Sequence, residues 1–181
     1  MRERTSEKVE AETASELISF ATGVIHGSPR DDYATFRTLV EVMSNTNNHA
    51  ASGHKHESWW ATAYCDQASH YAGFTFLDNG VGIFESVPLR MVRRAARTLG
   101  LTSNQELLRE ILKGDIGSRT RLHYRGKGLP AIFDLQRRGR IRNLIIVSND
   151  VFADIENDDF RHLPKAFDGT LLHWELPRDS N

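Results

Sequence analysis

One cysteine in 181 residues, Cys65, excludes an intrachain disulfide and fits a reducing compartment. No apolar run is long enough to span a bilayer, so no membrane helix is expected. The first ten residues are charged and lack the apolar stretch of a signal peptide. These absences point to a cytoplasmic protein. Net charge is also scarce, at −1, which offers no general attraction for nucleic acid or for a membrane surface. No internal repeat is visible. What is present is an ordinary globular composition, 39% hydrophobic and 26% charged, in a chain able to bury a sizeable core.

In chain order, residues 1–10 read as a charged arm and 13–24 as a helix, with Ala14, Leu17, Ile18 and Ala21 on one side. Asp31 or Asp32 caps a second helix over 33–50, with Tyr33, Phe36, Leu39, Val40, Met43 and Ala50 as its apolar stripe. Residues 58–66 and 71–77 alternate, are rich in aromatics, and predict an antiparallel strand pair. Residues 84–125 form a long connection of the kind usually used as a lid, with helices near 89–99 and 104–113. Its end, 114–125, is rich in glycine and arginine and is expected to be mobile. A helix over 127–140 follows. Strands at 144–148 and 151–155, a loop over 157–168 and a last strand at 170–176 complete the chain. The expected fold is an α/β two-layer sandwich with a mixed, mostly antiparallel sheet and helices on one face. Residues 1–30 are set apart as arm and helix, and 31–181 as the main domain.

Three stretches carry chemistry. The central one is Phe76-Leu77-Asp78-Asn79-Gly80-Val81-Gly82-Ile83, an apolar strand running into a carboxylate and two glycines. A carboxylate at a strand end accepts a hydrogen bond from a ligand amino group, and glycines let the backbone approach that ligand closely. Asn-Gly is also the strongest hairpin signal, so a plain β-hairpin competes with this reading. Upstream, Glu41, Asn45 and His49 are spaced by four and form one helical stripe, roughly opposite the apolar face. On that spacing alone, a solvated surface is favoured. Downstream lies Arg125-Gly126-Lys127-Gly128-Leu129-Pro130, at the start of a helix. In the strands, Phe74, Phe76 and Asp78 share one face, as do Thr170, Leu172, Trp174 and Leu176. If both faces are the inner one, Asp78 and Thr170 are inward-pointing polar groups that need partners.

This ordered set resembles the GHKL ATPase superfamily of gyrase, heat-shock chaperone, histidine kinase and mismatch-repair ATPases, over about residues 31–177. The resemblance implies a Bergerat-type ATP-binding fold with the long segment 84–125 as ATP lid. Glu41 resembles the carboxylate that orients or deprotonates the nucleophile, and Asn45 the Mg²⁺ ligand. Asn48 and His49 fall where phosphate- or ribose-contacting residues lie. Asp78 resembles the adenine-binding aspartate, with Gly80, Gly82 and Ile83 beside the base. Arg125, Gly126, Lys127, Gly128 and Leu129 resemble the second glycine box, whose free N–H groups and helix dipole favour phosphate. Thr170 resembles the threonine that completes the adenine network. The glycine series is short, Asn48 stands where many kinases have lysine, and Gly128 rules out a Walker loop.

The expected function is ATP binding with Mg²⁺, followed by hydrolysis or transfer of the γ-phosphate to a partner protein. The stretch before residue 31 is too short for a phosphoacceptor bundle and a sensor, so a complete membrane histidine kinase is not expected. Small members of the superfamily include anti-sigma-factor kinases acting on STAS-type partners. A homodimer is left open. The alternative is a non-catalytic ATP sensor whose lid switches a protein interface; it needs Asp78 and the glycines but not Glu41. Arg119, Arg121 and Arg125 are equally balanced between a phosphate clamp and a solvated basic loop. His54 and His56 read as surface histidines, and the arginines at 137, 138 and 140 as a match to a helix C-terminus.

Overall fold

A computed structural model describes residues 2–6, 9–49, 58–68, 70–86, 96, 100–114 and 128–177, with side chains described from residue 9 onward except at 47–49 and 86. The strands are β1 (Arg2–Ser6), β2 (Trp59–Asp66), β3 (Tyr71–Asp78), β4 (Arg142–Asp154) and β5 (Asp159–Glu175). The helices among the described residues are α1 (Ala11–His26), α2 (Tyr33–His49), α3 (Ile83–Ser86), α4 (Asn104–Lys113) and α5 (Gly128–Arg137). The protein is mixed α/β, and its five-stranded sheet has the order β1-β2-β3-β5-β4. Every neighbouring pair is antiparallel, so the expected parallel component is absent among the described strands.

The alternation along the strands selects the inner face. Ala61, Ala63, Phe74, Phe76, Ile146, Leu172 and Trp174 are buried, while Trp60, Leu77, Val147 and Leu171 on the other face are only half-buried. The register Phe74↔Trp174, Phe76↔Leu172 and Asp78↔Thr170 shows that the predicted inner faces do coincide. Phe74 stacks on Trp174 at 5.7 Å, and Trp59 on Phe76 at 5.8 Å. Truncating such a buried aromatic to alanine typically costs about 3–5 kcal/mol. Trp59 is a core residue. Helix α1 lays Leu17, Ile18 and Ala21 into this core, and α5 adds Ile132 and Leu135.

Several elements differ from expectation. The charged arm contains β1, which extends the sheet by pairing with β2, and α1 contributes Ala14, Leu17, Ile18, Ala21 and Ile25 to the core. The buried face of α2 is Ala34, Thr35, Thr38, Leu39, Val42, Met43 and Thr46, whereas Tyr33 is 68% exposed and Val40 half-buried. Two of the three threonines there bury with satisfied hydroxyls, because Thr38 and Thr46 bond back to the carbonyls of Ala34 and Val42. Strands 144–148 and 151–155 are one bulged strand, with register shifts around Asn149. Of the expected loop 157–168, Asn157 and Asp158 are turn, while 159–168 is the first half of β5, paired with β4 in a long hairpin. Its polar sequence hid a strand that is exposed over most of its outer length.

Helix α4 falls where it was predicted. Ser103 and Glu106 form a capping box, and Gly114 closes the helix at φ 77°. It was expected as part of a lid. Instead Leu107, Leu108, Ile111 and Leu112 are buried in the common core. Arg109 fixes the exposed side by pairing with Asp158 and lying 3.9 Å over the Phe160 ring. Apart from Ala96 and Gly114, the helix near 89–99 and the mobile stretch 114–125 lie outside the described residues. Among the described residues, no helix is long and apolar enough to cross a membrane.

Candidate functional site

Asp78 ends β3, and its side chain points into the core. Its Oδ1 accepts the Gly80 N–H at 2.9 Å and the Thr170 N–H at 3.1 Å. The first is a local Asx turn. That turn, rather than a hairpin, is what Asn79-Gly80 encodes, since β3 pairs onward with β5 and the chain leaves into α3. Asn79 meanwhile ties the turn to the start of β2, accepting the Ser58 N–H at 2.8 Å. Among the described residues the only donor to Asp78 Oδ2 is the Thr46 hydroxyl, at 3.4 Å, whose single proton lies nearer the Val42 carbonyl, at 3.2 Å. A carboxylate offers about four acceptor positions, so Oδ2 retains capacity for a donor. Burial pushes the Asp78 carboxyl above its ordinary range, opposed by the N–H groups of Gly80 and Thr170 and by the Thr46 hydroxyl.

The glycine turn is clamped from β4. Ile83 N–H donates to Ser148 Oγ at 2.8 Å, and Phe84 N–H to Asn149 Oδ1 at 3.2 Å. Asn149 Nδ2 donates in turn to the Val81 carbonyl at 2.9 Å. Gly82 has φ 83°, and a Cβ built there would lie 2.4 Å from Asn149 Oδ1. Glycine is therefore required by both conformation and space. Gly169, at φ 108°, brings Thr170 against Asp78: a Cβ there would lie 2.0 Å from the Asp78 carbonyl oxygen.

Helix α2 joins this cluster to the start of α5. Thr46 faces Asp78, while Glu41 and Asn45 face Gly128. A Cβ at Gly128 would lie 3.0 Å from Glu41 Oε2 and 3.1 Å from Asn45 Nδ2. Glu41 and Asn45 are half-buried, so these two residues of the stripe assigned to solvent on periodicity are turned toward a helix N-terminus. First-turn N–H groups of a helix lack partners within the helix and favour negative charge, and here Pro130 contributes none.

Two groups thus form. Asp78, Gly80, Gly82, Ile83 and Thr170 surround the end of β3; Glu41, Asn45 and Gly128 gather at α5, and Leu129 packs beside them against the core. The side chains of Asn48 and His49, and residues Arg125, Gly126 and Lys127, lie outside the described residues, as do Arg119, Arg121, His54 and His56. Thr46, Ser148 and Asn149 were not anticipated. The one signal for the last two is a polar Ser-Asn-Asp run inside a strand, which marks a bulge.

Among the described residues no group of three or more His, Cys, Asp or Glu side chains could hold a metal. Mg²⁺, however, is commonly held by one or two protein oxygens plus phosphate and water. Glu41 and Asn45 side by side fit that sparse donor set. No family model matches the chain, and no curated protein or solved structure matches it.

Proposed function

We propose that the chain binds ATP with Mg²⁺ in a GHKL-like, Bergerat-type site and hydrolyses it or passes its γ-phosphate to a protein partner. The observation that carries this reading is the bridge made by α2, with Thr46 on Asp78 and, one residue earlier, Asn45 beside Gly128. A buried acceptor and a helix N-terminus suited to phosphate therefore share one helix as their wall. ATP supplies the amino group that Asp78 Oδ2 would accept and the anionic phosphates that α5 would attract. Glu41 already lies at that N-terminus, so a triphosphate there needs a cation between the two negative groups. Asn45 would ligate this ion, and Glu41 would orient the attacking hydroxyl or take its proton. The reading implies a cytoplasmic protein acting on a regulatory partner, of which a STAS-type protein is one form.

The test is calorimetric titration of the full chain with ATP, with Mg²⁺ and with EDTA, paired with phosphate release. Saturable, Mg²⁺-enhanced binding is expected. Glu41→Ala should keep its ATP affinity and lose turnover by about 10²–10⁴-fold, the range of a lost general base. No saturable binding in either buffer would overturn the reading. Binding without turnover in wild type would leave a nucleotide sensor, and turnover unchanged in Glu41→Ala would remove Glu41 from the chemistry.

A further inference from the structure

Ser148 is 1% exposed and sits where β4, β5 and the glycine turn meet. Strands β3 and β4 are not neighbours, since β5 separates them. The turn after β3 therefore reaches β4 over the end of β5, and Ser148 is where it lands. Its Oγ accepts the Ile83 N–H at 2.8 Å. Its single proton has its nearest acceptor in the Gly169 carbonyl at 3.0 Å. The competing acceptor Asn149 Oδ1 lies farther, at 3.3 Å, and already takes the Phe84 N–H.

With that proton spent on Gly169, the 3.3 Å contact between Ser148 Oγ and Thr170 Oγ1 is made by the Thr170 proton. Thr170 is then left with lone pairs only, beside an Asp78 carboxylate that also only accepts. We infer that Ser148 is a positioning residue that sets nucleobase specificity by holding Thr170 as an acceptor. The inference rests on the ATP reading above. Two acceptors side by side match the exocyclic amino group of adenine and repel the carbonyl that guanine presents at the same place. Without the Ser148 oxygen, the Thr170 proton is free to turn toward the base and donate to a carbonyl.

The experiment compares ATP and GTP dissociation constants, by calorimetry, for wild type and Ser148→Ala, with thermal melts to establish folding. If the alanine variant does not fold, Ser148→Cys, similar in size but a weak hydrogen-bonding group, is read in the same way. Wild type should prefer ATP, and the ATP-to-GTP affinity ratio should fall by about five- to tenfold in the variant, the worth of one hydrogen bond. A general loosening of the site would weaken both nucleotides alike and leave the ratio unmoved. An unchanged ratio in a folded variant of an ATP-binding protein overturns this inference alone. Wild type that binds neither nucleotide overturns the ATP reading and the inference together.

Discussion

Asp78 and Thr170 are direct cross-strand partners, and the Thr170 N–H donates to the Asp78 carboxylate at 3.1 Å. The contact draws the end of β5 onto the end of β3 and leaves both side chains buried. It depends on Gly169, whose backbone passes too close to Asp78 for any side chain.

Gly169→Ala should therefore destabilise the fold by about 3 kcal/mol or more, since neither the positive φ nor the Asp78 carbonyl can yield cheaply. Gly82→Ala should cost less, because the group it meets is the movable Asn149 side chain. Denaturant unfolding of both variants checks the order; equal losses would contradict it.

Gly128→Ala should separate stability from function. Gly128 has no positive φ, and alanine in a helix commonly adds about 0.4–1 kcal/mol when the backbone accepts it. Its methyl group would displace Glu41 and Asn45 by a few tenths of an ångström. The expected result is an equal or higher melting temperature, with a larger loss of ATP affinity relative to wild type in Mg²⁺ than in EDTA. Affinity loss equal in both buffers would argue against Asn45 as a metal ligand.

Much of this arrangement could be read from residue order. The helix at Asn104–Lys113, the inward faces of β3 and β5 and the inward-pointing Asp78 and Thr170 at their ends follow from periodicity and alternation. Helical periodicity misdirected the reading of Glu41 and Asn45, because it registers an apolar core and not the N-terminus of another helix. The polar outer half of β5 is likewise held by its ladder with β4 rather than by an apolar face, so composition read it as a loop. Ser148 and Asn149 act across a strand they do not pair with, a relationship only the sheet order reveals.

Asp78 also gives a pH dependence. Its folded-state pKa is raised by burial, so between the unfolded and folded values the folded protein holds more protons. This contribution to stability is present at acid pH and is lost as pH rises through the folded value. Asp78→Asn should therefore gain stability relative to wild type at neutral pH, with the gain shrinking on acidification. Paired thermal melts across acid and neutral pH test this; a gap that widens toward acid would contradict it.

His173 acts in the opposite sense. Burial holds its imidazole below the ordinary value against the opposing pull of Glu175, while Nδ1 contacts Thr75 Oγ1 at 3.0 Å. The unfolded chain binds the proton first, so stability is present above about pH 6.5 and is lost as pH falls toward the depressed folded value. His173→Gln should flatten that acid limb. An unaltered pH slope between wild type and variant would show that another group controls it.

The most direct measurement is calorimetric titration of wild type and Asp78→Asn with ATP in Mg²⁺. The asparagine oxygen can still accept the Gly80 and Thr170 N–H groups, so the fold should survive. Its amide nitrogen, however, would replace the Oδ2 acceptor with a donor facing the adenine amino group. Saturable binding by wild type and loss of most of it in a folded Asp78→Asn protein is the predicted result. Equal ATP affinity in the two folded proteins would contradict the assignment of this site to adenine.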